Sequence, residues 1–288
     1  MTIAVTAATG KLGRLVVADL LTTESPDSIV AIVRDPHKAT ALVEAGVQVR
    51  VADYDHPHAL DAALQGVDRV LLISGLDLGR RVRQHGNVIA AARGAGADFL
   101  AYTSAPHADE TPLPIAAEHA ATERLVRESG LHFSLLRNNW YNENYIPLID
   151  RVRETGEIVG NAGTGHIASA ALADYAAGAA AVLRGGHDDT VYELAGDRTW
   201  DFAELAQILS GIVGREVVYR SISADHHIEE LIANCVPTDH AAFAAAMDTA
   251  IEDGALSDAS GDLTRLIGRP TTSIAETLSA EALRATAH

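Results

Sequence analysis

The chain has one cysteine, Cys235. A lone thiol cannot close a disulfide within the chain or build a thiolate metal site, so the expected compartment is a reducing one, the cytoplasm. Lysine is nearly as scarce: Lys11 and Lys38 are the only two, and every other basic side chain is arginine. Positive charge is short overall, with 22 Lys and Arg against 39 Asp and Glu for a formal net charge of −17. Nucleic acid is therefore not an expected partner, because phosphate binding needs a basic face. Long apolar runs are missing too. The most apolar stretch, 170–183, is alanine-rich and too short to cross a bilayer, so no membrane partner is expected. The first residues enter a β-branched run with no basic segment followed by an apolar one, so secretion is not expected. His56-Pro57-His58 and His226-His227 lack an evident third ligand, and no metal site is expected.

What the chain does have is a large apolar fraction, 48% of its 288 residues against 21% charged, which suits a globular protein with a sizeable core. Short, nearly all-apolar runs fall at 3–6, 29–33, 47–52, 69–73, 99–103 and 132–136, separated by helical patterns near 11–23, 36–45, 57–65, 78–95 and 115–129. That alternation predicts right-handed βαβ crossovers and a doubly wound parallel sheet, an α/β Rossmann fold. After about residue 156 the order loosens. Glycines cluster at 160–165, a helix starts near Asp174, strands are expected at 191–194 and 217–219, and an amphipathic helix follows Asp201. We expect a dinucleotide-binding domain at 1–156 and a smaller substrate lobe at 157–288, the strand near 191–194 being able to return to the main sheet.

TAATGKLG, residues 6–13, follows the first strand at once. Gly10 lets the backbone approach a pyrophosphate, Gly13 lets the helix pack on the strand, and the helix N-terminus offers amides to the phosphates. Ala7 stands where the first glycine of such a turn is expected, and is tolerable there if its φ is negative. The second strand ends in Arg34 rather than an acidic residue, and a guanidinium suits a ribose 2′-phosphate. Lys11 and Lys38 flank the same region, so NADP(H) is favoured over NAD.

The Tyr-x-x-x-Lys pair that protonates a carbonyl in short-chain reductases cannot exist here, because both lysines are near the N-terminus; Tyr102 leads to Pro106 and Tyr141 to Tyr145. Ser104 occupies the place of the usual serine, while the next helix offers His119. An ordinary ketone needs a positioned acid as hydride arrives. A quinone spreads the incoming charge over its ring and can take hydride directly from a nicotinamide.

VTAATGKLG (5–13), IVAIVRDPHKA (29–39), RVRQHGNVIAAA (81–92), AYTSAPHAD (101–109), LLRNNWYNENY (135–145), IASAALADYA (167–176), VYELAGD (191–197) and RLIGRPTTSIAETL (265–278) together resemble the NADPH:quinone oxidoreductase type 2 proteins, an NmrA-like branch of the atypical short-chain dehydrogenases. The resemblance spans essentially the full chain, and LLRNNWYNENY is its most specific element. It implies that Ala8, Thr9, Gly10, Lys11 and Leu12 wrap the pyrophosphate, that Arg34 meets the 2′-phosphate, and that Ser74, Gly75 and Leu76 border the nicotinamide ribose. Asn138, Trp140, Tyr141, Asn142 and Glu143 would close over the nicotinamide and face the quinone. Departures are Ala7, Asn139 where glycine is usual, and Leu172 where arginine tends to occur, the last two on the substrate side.

Tyr141, Asn142 and His107 are the catalytic candidates. His107 lies in a loop beyond the fifth strand, within reach of the cleft, whereas His85 reads as a helix-face contact. The expected activity is NADPH-dependent reduction of a quinone-like acceptor. An NADP-binding sensor without turnover, or a reductase or isomerase of another conjugated aromatic metabolite, stands as the alternative. A homodimer is compatible with the fold, and no patch identifies one.

Overall fold

The computed structural model describes residues 1–286. The strands are β1 (Ile3–Val5), β2 (Ile29–Val33), β3 (Gln48–Val51), β4 (Arg69–Leu72), β5 (Phe99–Ser104), β6 (His132–Asn138), β7 (Glu157–Gly160), β8 (Thr190–Leu194) and β9 (Val218–Ser221). The helices are α1 (Lys11–Leu20), α2 (Thr40–Glu44), α3 (Pro57–Ala63), α4 (Arg81–Gly94), α5 (Ala116–Arg127), α6 (Leu148–Thr155), α7 (Leu172–Leu183), α8 (Phe202–Val213), α9 (Ala224–Ala233), α10 (Thr238–Glu252), α11 (Asp262–Ile267) and α12 (Ile274–Thr286).

β1, β2, β4 and β5 are buried at every residue, the signature of strands covered on both faces. They form a seven-stranded sheet in the order β3-β2-β1-β4-β5-β6-β8, with every neighbouring pair parallel. β1 pairs with β2 on one side (Val5↔Ala31) and β4 on the other (Val5↔Leu71), so the winding reverses at β1. The crevice beyond the carboxyl ends of β1 and β4 is where ligands of such sheets bind.

One face carries α1 and α7, with Val16, Val17, Leu20, Tyr175, Ala179 and Leu183 in a common core. The other carries α3, α4 and α5 through Leu60, Leu64, Val88, Ala92 and Val126. A third core gathers Tyr145, Trp200, Leu205, Leu209, Ile251 and Leu278 from the later segments.

Two expectations need correction. The stretch expected as a helix at 36–45 is a 3-10 turn, Pro36–Ala39, followed by the five-residue α2; Asp35 caps the turn through His37 N–H at 3.0 Å. The region after 156 is more ordered than its glycines suggested, since β7 pairs in parallel with β9 (Ile158↔Tyr219). That pairing joins strands of four residues each from distant parts of the chain; β9 overlaps the strand expected at 217–219, whereas β7 carries too short an alternation to be read locally. The strand expected near 191–194 does return to the main sheet. β8 pairs with β6 from Ser134↔Thr190 to Asn138↔Leu194, and α7 shares a core with α1.

Candidate active site

The glycine loop is built from its own residues upward. β1 ends, Thr6 N–H donates to the Leu71 carbonyl at 3.0 Å, Ala8 N–H donates to Ile32 O at 3.1 Å, and Gly10 N–H turns back to Ala7 O at 2.8 Å. Ala7 does not sit at negative φ as the sequence reading required. Its φ is +47°, in the left-handed region, where a Cβ costs about 1–2 kcal/mol. The closed turn holds it there. Gly13 is obligatory for a different reason: an added Cβ would stand 2.5 Å from Ala7 O and 2.8 Å from Ala8 Cα, backbone atoms that cannot swing away. The N–H groups of Lys11, Leu12 and Gly13 make no hydrogen bond among the described residues, and the first turn of α1 has no acidic residue. An uncompensated helix N-terminus of this kind favours an anion. Thr9 is half-buried at the rim.

Arg34, Lys38 and Lys11 are exposed and make no ion pair among the described residues. In a chain of this charge, unpaired cations at the carboxyl ends of β1 and β2 leave a site for a bound anion. Ser74 N–H donates to Thr103 Oγ1 at 2.9 Å, and Gly75 is held at both its amide and its carbonyl, by His85 Nε2 at 2.9 Å and Arg81 Nε at 2.8 Å. Leu76 projects from this loop, 91% exposed.

The opposite wall is the segment 138–143. Asn138 is buried, donates Nδ2–H to Tyr141 Oη at 3.1 Å, and leaves its Oδ1 without a partner. Tyr141 is half-buried, edge-on to Tyr175 with centroids 5.1 Å apart, and burial raises its phenol above the ordinary range. Glu143 accepts Leu172 N–H with both oxygens at 3.0 Å, capping α7. Burial raises its carboxyl above the ordinary range, opposed by the hydrogen bond from Leu172.

Several candidates sit differently from what the sequence suggested. Asn142 is completely buried. Its Nδ2 donates to Thr272 O and Thr277 Oγ1, both at 2.9 Å, and its Oδ1 accepts from Ser169 Oγ at 2.6 Å, so this amide has no group left to meet a substrate. Trp140 packs partly against the third core. His107 has φ +45° and is pinned between carboxylates: its N–H donates to Glu193 at 3.1 Å, and its ring lies 3.2 Å from Asp258 and 3.5 Å from Glu193. Leu172 does not face a substrate either, since its side chain is buried in the core with α1. Asn139, where glycine was usual, bridges to Leu256 O at 3.2 Å.

No acid emerges from α5. Tyr102 Oη and His119 Nδ1 hydrogen-bond at 2.8 Å in the interior, and burial with the nearby Arg81 charge pushes His119 down to about 3. Ser104 donates to Glu123 at 2.6 Å, which also holds Arg137 at 2.7 and 2.9 Å. Sequence reasoning missed the buried Asp174, which accepts Thr272 N–H at 2.6 Å and Arg269 at 2.7 Å and ties the tail to α7. Its one visible signal was an acidic residue in an otherwise apolar helix, and its partners lie far along the chain.

A family model described as NAD(P)H-binding matches residues 7–182. The chain is 47% identical over 278 residues to Quinone oxidoreductase 2 of Escherichia coli (strain K12), covering 96% of this chain and 97% of that one. A crystal structure of the Escherichia coli NADPH-dependent quinone oxidoreductase QOR2 complexed with NADPH superposes with a TM-score of 0.95 at 46% identity, covering 97% of this chain and 99% of that chain. Citrobacter sp. triphenylmethane reductase complexed with NADP(H) gives a TM-score of 0.93 at 39% identity, covering 97% and 100%. With an open helix N-terminus, unpaired cations past β2 and this full-length similarity, the chain belongs to the NADPH:quinone oxidoreductase type 2 family, within the NAD(P)H-binding fold group.

Proposed function

We propose that this protein is an NADPH-dependent oxidoreductase that delivers hydride to a quinone-class acceptor without a dedicated protein acid at the receiving carbonyl. One observation carries the mechanism: every candidate acid expected from a short-chain reductase is absent or committed elsewhere. There is no lysine beyond Lys38, Ser104 is donated to Glu123, and His119 is buried, neutral and bonded to Tyr102.

The residues present fit the cofactor. The free amides of Lys11, Leu12 and Gly13 suit the pyrophosphate, Arg34 and Lys38 suit the 2′-phosphate, and the orphaned Asn138 Oδ1 suits a carboxamide N–H. Bound NADPH would supply the hydride. Ser74, Gly75 and Leu76 form one wall, while Tyr141 and Glu143 form the other. Tyr141 keeps an unused O–H and serves as a weak donor after transfer. Asn142 holds the loop from behind, and His107 stands at the rim, so neither is placed at the reacting atoms. A delocalised aryl cation, like a quinone, accepts hydride with no simultaneous proton, which is why a triphenylmethane reductase is a chemically coherent relative. We further infer a cytoplasmic enzyme from its single unpaired thiol, with residues 1–156 as the cofactor half and 157–288, apart from α7 and β8, as the acceptor half. A homodimer would be seen by sedimentation.

Purified protein mixed with NADPH and a panel of benzoquinones, naphthoquinones and saturated aldehydes, followed by loss of the reduced nicotinamide absorbance, tests the reading. Consumption with quinones and none with aldehydes is expected. Rapid aldehyde reduction would overturn it, and NADPH binding without any consumption would favour a sensor.

A further inference from the structure

His85, on α4, is fully buried and does not line the crevice, yet it touches the loop that does. Its Nε2 lies 2.9 Å from Gly75 N, a group that can only donate. Its Nδ1 lies 3.1 Å from Thr122 Oγ1, and the Thr122 hydroxyl proton is already given to Glu118 O at 2.9 Å. Both contacts demand the same state: neutral imidazole, proton on Nδ1, lone pair on Nε2. Arg81 from the same helix, Tyr54 from the β3–α3 connection, Tyr102 from β5 and His119 from α5 surround the ring. Burial above all, then the Arg81 charge, pushes the imidazole down to about 3, so the acceptor persists at every working pH.

We infer that His85 is a positioning residue for the nicotinamide half of the cofactor, fixing the Ser74-Gly75 backbone from behind through its Nε2 lone pair. The inference rests on the proposed function, in which Ser74 and Gly75 border the nicotinamide ribose. The rest of the loop is clamped as firmly. Arg81 Nε holds Gly75 O, Gln84 holds Asp77 at 3.0 Å, and Glu118 accepts Gly79 N–H at 2.8 Å. Among these anchors only His85 takes the Gly75 amide; without it a half-buried N–H is left unsatisfied and the peptide is free to rotate.

Glutamine can place an oxygen where Nε2 stood, whereas asparagine reaches only as far as Nδ1. The test measures NADPH and 2′,5′-ADP binding by calorimetry on wild type, His85→Gln and His85→Asn. The second ligand carries the adenosine half and 2′-phosphate without the nicotinamide ribose. The inference expects His85→Asn to weaken NADPH about tenfold or more while 2′,5′-ADP binding is unchanged, with His85→Gln recovering most of the loss. Equal weakening of both ligands, no weakening of NADPH, or no recovery with glutamine would overturn it. Failure of wild type to bind NADPH is the distinct signature that the functional reading itself is wrong, and the inference falls with it. Nitrogen-15 spectra of wild-type His85 give a check independent of folding in the variants: the Nδ1–H tautomer should persist from acid to alkaline pH, and an Nε2–H tautomer would contradict the role.

Discussion

The two walls of the crevice are made by different means. The wall proposed for the dinucleotide is backbone: a closed turn at Ala7, a glycine where no Cβ fits, three open amides, and cations without an ion pair among the described residues. The wall proposed for the acceptor is backed by a side-chain lattice in which Asn142, Ser169, Trp200, Thr272, Thr277 and Asp174 satisfy one another across distant parts of the chain. A backbone cradle tolerates change in nearly every side chain except at the points of closest approach. A lattice transmits any lost member to the rest. Cofactor recognition should therefore fail sharply at a few positions, and acceptor recognition should soften gradually.

The largest effect is expected at Gly13. Gly13→Ala puts a Cβ against two backbone atoms and should reduce NADPH binding by about a hundredfold while costing about 1–3 kcal/mol of stability, read by titration and melting. Intact binding would show that the turn is softer than described. Acid comes next. His85 and His119 fall from the ordinary 6.5 to about 3 in the folded protein, so between those values the unfolded chain binds more protons and stability drops as pH falls. Each buried histidine contributes a slope of about 1.4 kcal/mol per pH unit, and melting between pH 7 and 4 should steepen accordingly; replacing both by glutamine should flatten it.

Arg34→Ala should cut the preference for NADPH over NADH by about 10- to 150-fold, the worth of a charge-assisted contact, in parallel kinetics with both cofactors. Asp174→Ala should remove about 1–3 kcal/mol, loosen Asn142 and raise the quinone KM, with NADPH affinity unchanged. If NADPH weakened equally, the walls would not be the independent structures described. The smallest change is expected to improve the protein. Ala7→Gly relieves a positive φ and should gain about 1 kcal/mol in thermal unfolding.

The same contrast explains what was legible in the sequence. All six strands expected in the first half and the turn after β1 were readable because each depends on residues within a few positions of itself. Even there Ala7 misled: side-chain chemistry suggested negative φ, and the turn imposed the opposite. Asn142 looked like a substrate contact because polar residues clustered around it, and no local pattern announces that Thr272 and Thr277 take its amide. β7 escaped for the same reason, its partner β9 being far along the chain, although β9 itself overlaps the strand expected at 217–219. His85 was read as a helix-face contact because its acceptor role depends on a loop outside its own helix.

The central claim is that hydride reaches the acceptor without a protein acid. It is tested most directly by single-turnover transfer from NADPH to benzoquinone between pH 6 and 8 in wild type, Tyr141→Phe and His107→Ala. The account predicts a flat profile and rates within about tenfold of one another, below the hundredfold or more that a general acid contributes. A profile that follows one ionisation and collapses in either variant would contradict it.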